Sequence, residues 1–171
     1  MNLFHLFRNF LLISILFAAA TPCSAVYDAD GVPLGASERE VRKRYPNARC
    51  KALEWESKAA DRRCDDAKAA FAGIEARITF YLRKGTVEAF DVRFDTRFAD
   101  RIASTLTRRY GKPASEEREA AERKGEPERQ LYKVLWENKA ERAVLTSLSD
   151  KRRASLIAWR GSFEEEIYRI R

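Results

Sequence analysis

Hydrophobic and polar positions change period several times along this chain, and each change marks an element. Ala76, Ile78, Phe80 and Leu82 alternate with Arg77, Thr79, Tyr81 and Arg83; Phe90, Val92 and Phe94 alternate with Ala89, Asp91 and Arg93. A two-residue period puts successive side chains on opposite faces of a strand, so these segments predict a β-hairpin with one apolar face. Parity adds a detail. A three-residue loop Arg83-Lys84-Gly85, with Gly85 at positive φ, keeps both apolar sets on one face, whereas a two-residue loop would split them.

Past the hairpin the period lengthens. Phe98, Ile102, Leu106 and Tyr110 recur every four residues, with Ala99 and Ala103 widening the stripe, which predicts a helix lying on the sheet. Asp95 or Thr96 can cap its start, Gly111 suits its end, and Pro113 forbids continuation. An earlier short helix opens with the capping box Ser37-x-x-Glu40, runs through Val41 to Tyr45 and is closed by Pro46.

The remaining segments are less regular. Residues 48–56, with Cys50, Leu53 and Trp55, read as a first strand, and residues 57–73 as a loop with a turn or two of helix. Residues 114–129 are almost wholly Ala, Ser, Glu, Arg and Lys, and lacking an apolar face they read as an exposed helical turn or a mobile loop. Tyr132 to Trp136, Ala143 to Leu148 and Ala154 to Trp159 alternate as three more strands. Ser162-Phe163-Glu164-Glu165 is a second capping box before a short helix striped by Phe163, Ile167 and Ile170, with a strand as the competing reading. The expected class is α+β, with an antiparallel sheet of about six strands and helices on one face. Helix and three strands occur twice, and the helix ends match: Val41-Arg42-Lys43-Arg44-Tyr45-Pro46 against Leu106-Thr107-Arg108-Arg109-Tyr110-Gly111. That order suggests a tandem αβββ repeat, with chance similarity of helix ends as the alternative.

Composition then sets the compartment. Arg8 is the only full charge in residues 1–25, an uncharged run follows it, and Cys23-Ser24-Ala25 is a small-x-small site, so a cleaved secretory signal peptide is expected. A rival reading makes Cys23 a lipid-bearing first residue, but Ala20-Thr21-Pro22 lacks the usual leucine and sets a proline beside the cut. Residues 26–171 would then form a single periplasmic domain with a mobile charged loop at 114–129. In that oxidising compartment Cys50 and Cys64 form an expected disulfide; a metal pair or two buried thiols are the alternatives. The net charge of +7 becomes +6 once Arg8 is removed, with acids and bases mixed throughout.

Gly35-Ala36-Ser37-x-x-x-Val41 followed by Cys50 and Cys64, inside a tandem helix-plus-sheet pattern, resembles the exported β-lactamase-inhibitor-protein-like modules. These share a helix-then-sheet unit with small outer-membrane assembly lipoproteins. The resemblance implies a binding module that presents a sheet face to another protein.

Much chemistry is excluded. The single histidine, His5, lies in the signal peptide, so triads built on histidine, histidine-ligated metal sites and imidazole acid–base work are not available to residues 26–171. Asp28-x-Asp30-Gly31 echoes a calcium loop but lacks the glutamate at position twelve. No catalytic residue, metal or cofactor is expected. The candidate binding residues are Arg77, Tyr81, Arg83 and Arg93, which stand on the hairpin face away from the helix and combine an aromatic with arginines, a composition enriched at hot spots. The expected function is a non-enzymatic protein-interaction module, inhibitor-like or an envelope-assembly accessory, with an envelope protein as partner and no nucleic acid. The second reading is a binder of anionic lipid or polysaccharide, in peripheral contact with an anionic membrane surface.

Overall fold

The computed structural model describes residues 26–121 and 129–166. Residues 1–25, where a signal peptide is expected, and the positions Ile167 and Ile170 lie outside them. A small hairpin, β1 (Asp28–Ala29) and β2 (Val32–Pro33), comes first. Then follow α1 (Glu38–Arg44), β3 (Arg49–Ala52), β4 (Arg62–Phe71), β5 (Ile74–Arg83) and β6 (Thr86–Asp95). After a 3₁₀ turn at Thr96–Phe98 come α2 (Ala99–Tyr110), β7 (Ser115–Ala121), β8 (Arg129–Glu137), β9 (Glu141–Leu148) and β10 (Arg153–Arg160), and a 3₁₀ turn at Gly161–Glu166. One antiparallel sheet of eight strands takes the order β3-β4-β5-β6-β10-β9-β8-β7, so each helix precedes four strands and the two sets meet through β6 and β10.

Local signals explain both helices. Ser37 Oγ accepts the Glu40 N–H at 3.3 Å, and the Glu40 carboxylate accepts the Ser37 N–H at 2.7 Å, completing the capping box. Asp95 accepts the Arg97 N–H at 3.0 Å, starting the 3₁₀ turn that feeds α2, and Gly111 ends α2 at φ 89°. Val41 and Tyr45 of the first helical segment and Ile102, Leu106 and Tyr110 of the second are buried in one cluster with Ile78, Phe80, Val92, Leu145 and Leu156.

Two strands replace expected loops, raising the count from about six to eight. β4 was hidden because its alternation breaks: register shifts between Asp66 and Ala69, so that Cys64, Asp66, Ala69 and Phe71 are the buried positions. A carboxylate on the core side adds to the disguise, and Asp66 turns inward on itself by accepting the Lys68 N–H at 3.0 Å. Residues 115–121, within the segment expected to be helical turn or mobile loop, are the edge strand β7. Its residues favour helix alone, but pairing with β8 overrides that propensity: Tyr132 Oη donates to Glu116 at 3.0 Å, and the Arg118 guanidinium lies 3.8 Å from the centre of the Tyr132 ring. A third correction concerns the first strand, which stops at Ala52 while Leu53 and Trp55 turn away from it. At the other end, Gly161–Glu166 is 3₁₀ where an α-helix was expected.

The hairpin loop is also shorter than parity demanded. Lys84 and Gly85 alone form the turn, both at positive φ (50° and 77°), the pairing that matches strand twist. The extra residue sits in the strand: Tyr81 faces Ala89 but Leu82 faces Val87, which leaves Glu88 as an inserted residue and restores the common apolar face.

Matching helix ends clamp the β1–β2 hairpin. Tyr45 Oη donates to Ala29 O at 3.0 Å and Tyr110 Oη to Asp28 O at 2.6 Å, while Arg44 Nε donates to Asp30 O at 2.7 Å and Arg109 pairs with the Asp30 carboxylate. Arg-Tyr at the end of each helix thus does the same work on one hairpin.

Cys50 and Cys64 are directly opposed on β3 and β4 and form a disulfide. Closing a loop of sequence separation 14 is worth about 3 kcal/mol in the chain-entropy model. Reduction should therefore lower the melting temperature by about 6–12 °C. Two reactive thiols titrated in the native, non-reduced protein would contradict this.

Candidate functional site

The sheet face away from the main cluster is polar at one end and apolar at the other. Registers of β3 to β6 and β10 align Lys51, Arg63, Tyr81, Ala89 and Trp159 in one row, and Arg49, Asp65, Thr79, Asp91 and Ile157 in the next. A third row holds Arg77, Arg93 and Ser155. Alternation along the hairpin assigns no covering element to this face, but one is present. The segment after β3 folds back over it, and the last 3₁₀ turn adds Phe163, so Tyr81, Ala89, Ile157, Trp159, Phe163, Ala59 and Ala60 make a second buried cluster.

Tyr81 is consequently only 5% exposed, with its ring 5.1 Å from that of Phe163. Burial, and then the charge of Asp91, push its phenol well above the usual tyrosine range. It can wall a binding site but cannot be an exposed anchor. Arg83 stands exposed beside the Lys84-Gly85 turn, about 20 Å along the strand from Arg77, and lines none of the hollows described next.

Arg77 and Arg93 are brought together. With Arg63, Thr79, Tyr81 and Trp55 they line a hollow of about 320 Å³ that also holds Asp65 and Asp91. Two of its guanidiniums are held in place: Arg93 Nε donates to Asp91 Oδ2 at 2.9 Å, and Arg63 Nε lies 3.0 Å from Asp65 Oδ2. The Arg63 guanidinium also lies 5.9 Å from the Trp55 ring centre. Asp91 is buried on the sheet, where its charge is balanced by Arg93 above it. Two adjoining hollows share Arg77, one of about 550 Å³ toward Arg97, Arg152 and Arg153, the other of about 1080 Å³ toward Arg49, Lys51 and Lys68. Together the three are lined by nine cationic side chains and five carboxylates.

Arg77 and Arg93 are direct cross-strand partners. Like charges so placed destabilise a sheet, so the pair is a local cost to the fold. Trp55, Arg63, Arg152 and Arg153 escaped the sequence as members of the site. Arg63 required β4 to be recognised, Trp55 and Arg152 required the fold of loops around the sheet, and Arg153 required the pairing of β10 with β6.

Among the described residues, the one grouping with metal-ligand atoms close together is Glu38, Cys50 and Cys64. The sulfurs are consumed by the disulfide, and hydrogen bonds first from Arg42 and then Arg62 hold the Glu38 carboxyl below the usual range. Also among the described residues, no helix is long and apolar enough to cross a membrane.

Burial also raises the phenols of Tyr27 and Tyr132 to about 12, and those of Tyr45 and Tyr110 further. A raised native pKa stabilises the fold fully below the unfolded value near ~10 and loses that contribution as pH rises through the native values. Alkaline titration followed by absorbance should show most tyrosinate appearing together with loss of circular dichroism. Smooth ionisation near pH ~10 with the fold intact would contradict it.

Comparison with protein-family models, with characterised proteins and with solved structures finds no match for this chain.

Proposed function

We propose that this chain is an exported, non-enzymatic protein-interaction module that docks an acidic segment of an envelope protein on its helix-free face. It acts as an inhibitor or an assembly accessory in the periplasm, and the docking surface is the hollow around Arg77 with Arg63, Arg93 and Trp55. The observation that carries this reading is the hollow's make-up: guanidiniums already oriented by Asp65 and Asp91, beside a half-buried tryptophan. Arginine and tryptophan dominate interface hot spots, and side chains ordered in advance lose less freedom on binding. The excess of cations over carboxylates along the three hollows selects an acidic partner and speeds its approach.

The same reading takes the molecule as a tandem pair, each half a helix and four strands with both helices on one face. Supporting it are the mirrored strand order and the paired Arg-Tyr helix ends that hold one hairpin. This arrangement agrees with the resemblance to inhibitor-like and assembly modules that present a sheet face. The disulfide supports an oxidising compartment.

Immobilised protein and its Arg63→Glu variant, exposed to envelope extract at low and high salt, test the reading by mass spectrometry of what is retained. One protein held by the parent chain through high salt and absent from the variant is expected. Retention of lipid or polysaccharide alone, lost at high salt, would replace it with the second reading.

A further inference from the structure

The hollow of about 550 Å³ at the end of β5, β6 and β10 carries chemistry that neither the fold nor protein docking requires. Its walls bear Arg77, Arg93, Arg97, Arg152 and Arg153. Only two carboxylates, Glu75 and Asp95, share it, and Arg93 is balanced by Asp91, which leaves a formal excess of two positive charges. Asp95 serves mainly the fold, because its carboxylate accepts the Arg97 N–H and starts the turn into α2; its distance to Arg97 Nε is 3.7 Å. Among the described residues, Arg77, Arg152 and Arg153 have no acidic partner in an ion pair. Ala76, Phe94 and Phe98 also border it, the first two with side chains buried in the main cluster, and the Arg97 guanidinium rests 4.7 Å from the Phe98 ring centre.

The molecule contains its own control. β6 and β10 run antiparallel, so the hollow at their opposite end is the topological counterpart of this one. That hollow has the same volume, about 550 Å³, yet Lys139, Arg142 and Arg160 are matched there by Glu88, Glu141 and Glu164. Arg160 and Glu88 even form a two-point pair at 3.0 Å. The sheet therefore tolerates a neutral hollow at this position. Arg77, Arg152 and Arg153 at the other end have no such match, and Arg77 also stands directly opposite Arg93, a like-charge placement that breaks a local stability rule, and such violations mark functional positions.

We infer that this five-arginine hollow binds a phosphate group carrying two or three negative charges, a phosphomonoester or a diphosphate. Arginine forks match phosphate oxygens in pairs, and the planar guanidinium is suited to that contact where lysine offers only a point charge. A lone carboxylate would leave half of the charge excess unbalanced, whereas a phosphomonoester dianion or a diphosphate neutralises it. The volume also exceeds one phosphate, leaving room for the rest of an esterified group. This site shares Arg77 and Arg93 with the docking hollow but extends away from Trp55 and Arg63, so the two readings separate by mutation.

Inorganic pyrophosphate is the probe, titrated calorimetrically into the full mature chain, with sodium chloride at matched ionic strength as reference. Saturable binding is expected, weakened at least about tenfold in an Arg152→Gln/Arg153→Gln variant, as loss of charge-assisted bonds requires. The Arg63→Glu variant should bind pyrophosphate like the parent while losing protein capture. A second arm compares phosphatidylcholine vesicles with and without phosphatidic acid: binding there places the phosphate on a lipid, and binding of soluble pyrophosphate alone places it in solution. No binding beyond the chloride reference, equal binding by the Arg152→Gln/Arg153→Gln variant, or binding only of a polyglutamate peptide would overturn the inference. Arg152 and Arg153 are exposed and Arg63 is half-buried, and the melting curves of both variants report whether they fold.

Discussion

Arg77→Glu is expected to weaken partner capture about thirtyfold, roughly 2 kcal/mol, while the protein becomes no less stable. Both effects follow from one position. Arg77 stands at the meeting of the three hollows and directly opposite Arg93 on β6. A glutamate there exchanges cross-strand repulsion for attraction, worth about 0.2–1 kcal/mol in favour of the fold. It also reverses charge where an acidic segment would dock. Stability that holds or rises while binding falls is the signature of a residue retained for contact rather than for folding. A destabilised variant with unchanged capture would remove Arg77 from the site.

The second large effect is on folding. Tyr81→Ala should cost about 3 kcal/mol and lower the melting temperature by about 6–12 °C, because it empties the contact with Phe163 in the second cluster. Alternation alone places Tyr81 on the face opposite the main core and suggests a solvent-facing aromatic, for which truncation costs little. Equilibrium denaturation of the variant distinguishes the two, and a change below about 0.5 kcal/mol would show the ring uncovered. Loss of capture in this variant would report unfolding, so binding is better probed at Arg77 or Arg63.

These two residues show what the chain discloses and what it withholds. Arg77 and Arg93 are legible as face-mates because period-two alternation in β5 and β6 is nearly unbroken, and the single irregularity at Glu88 is detectable from parity even though its location is not. The helix α2 is legible from its stripe and from the turn residues at both ends. β4 is not, since a shifted register and the inward Asp66 erase its period. Without β4 there is no place for Arg63, and hence no hollow. β7 is hidden for a different reason: an edge strand with mostly exposed residues needs no apolar face, so only its partner strand defines it. The Arg-Tyr pairs at the helix ends are visible as a repeat in the sequence, while their shared grip on the β1–β2 hairpin depends on the long-range fold.

Photo-crosslinking from two positions on the same sheet face tests most directly whether this basic hollow is the docking surface. A benzophenone-bearing phenylalanine at Trp55 sits in the hollow, and one at Glu117 lies in the row of Arg77 five strands away, about 24 Å across the sheet. In intact cells, Trp55 should yield an adduct with one envelope protein that disappears when Arg77→Glu is added, and Glu117 should yield none. Adducts of that protein from Glu117, or an adduct from Trp55 that survives Arg77→Glu, would contradict docking at the hollow.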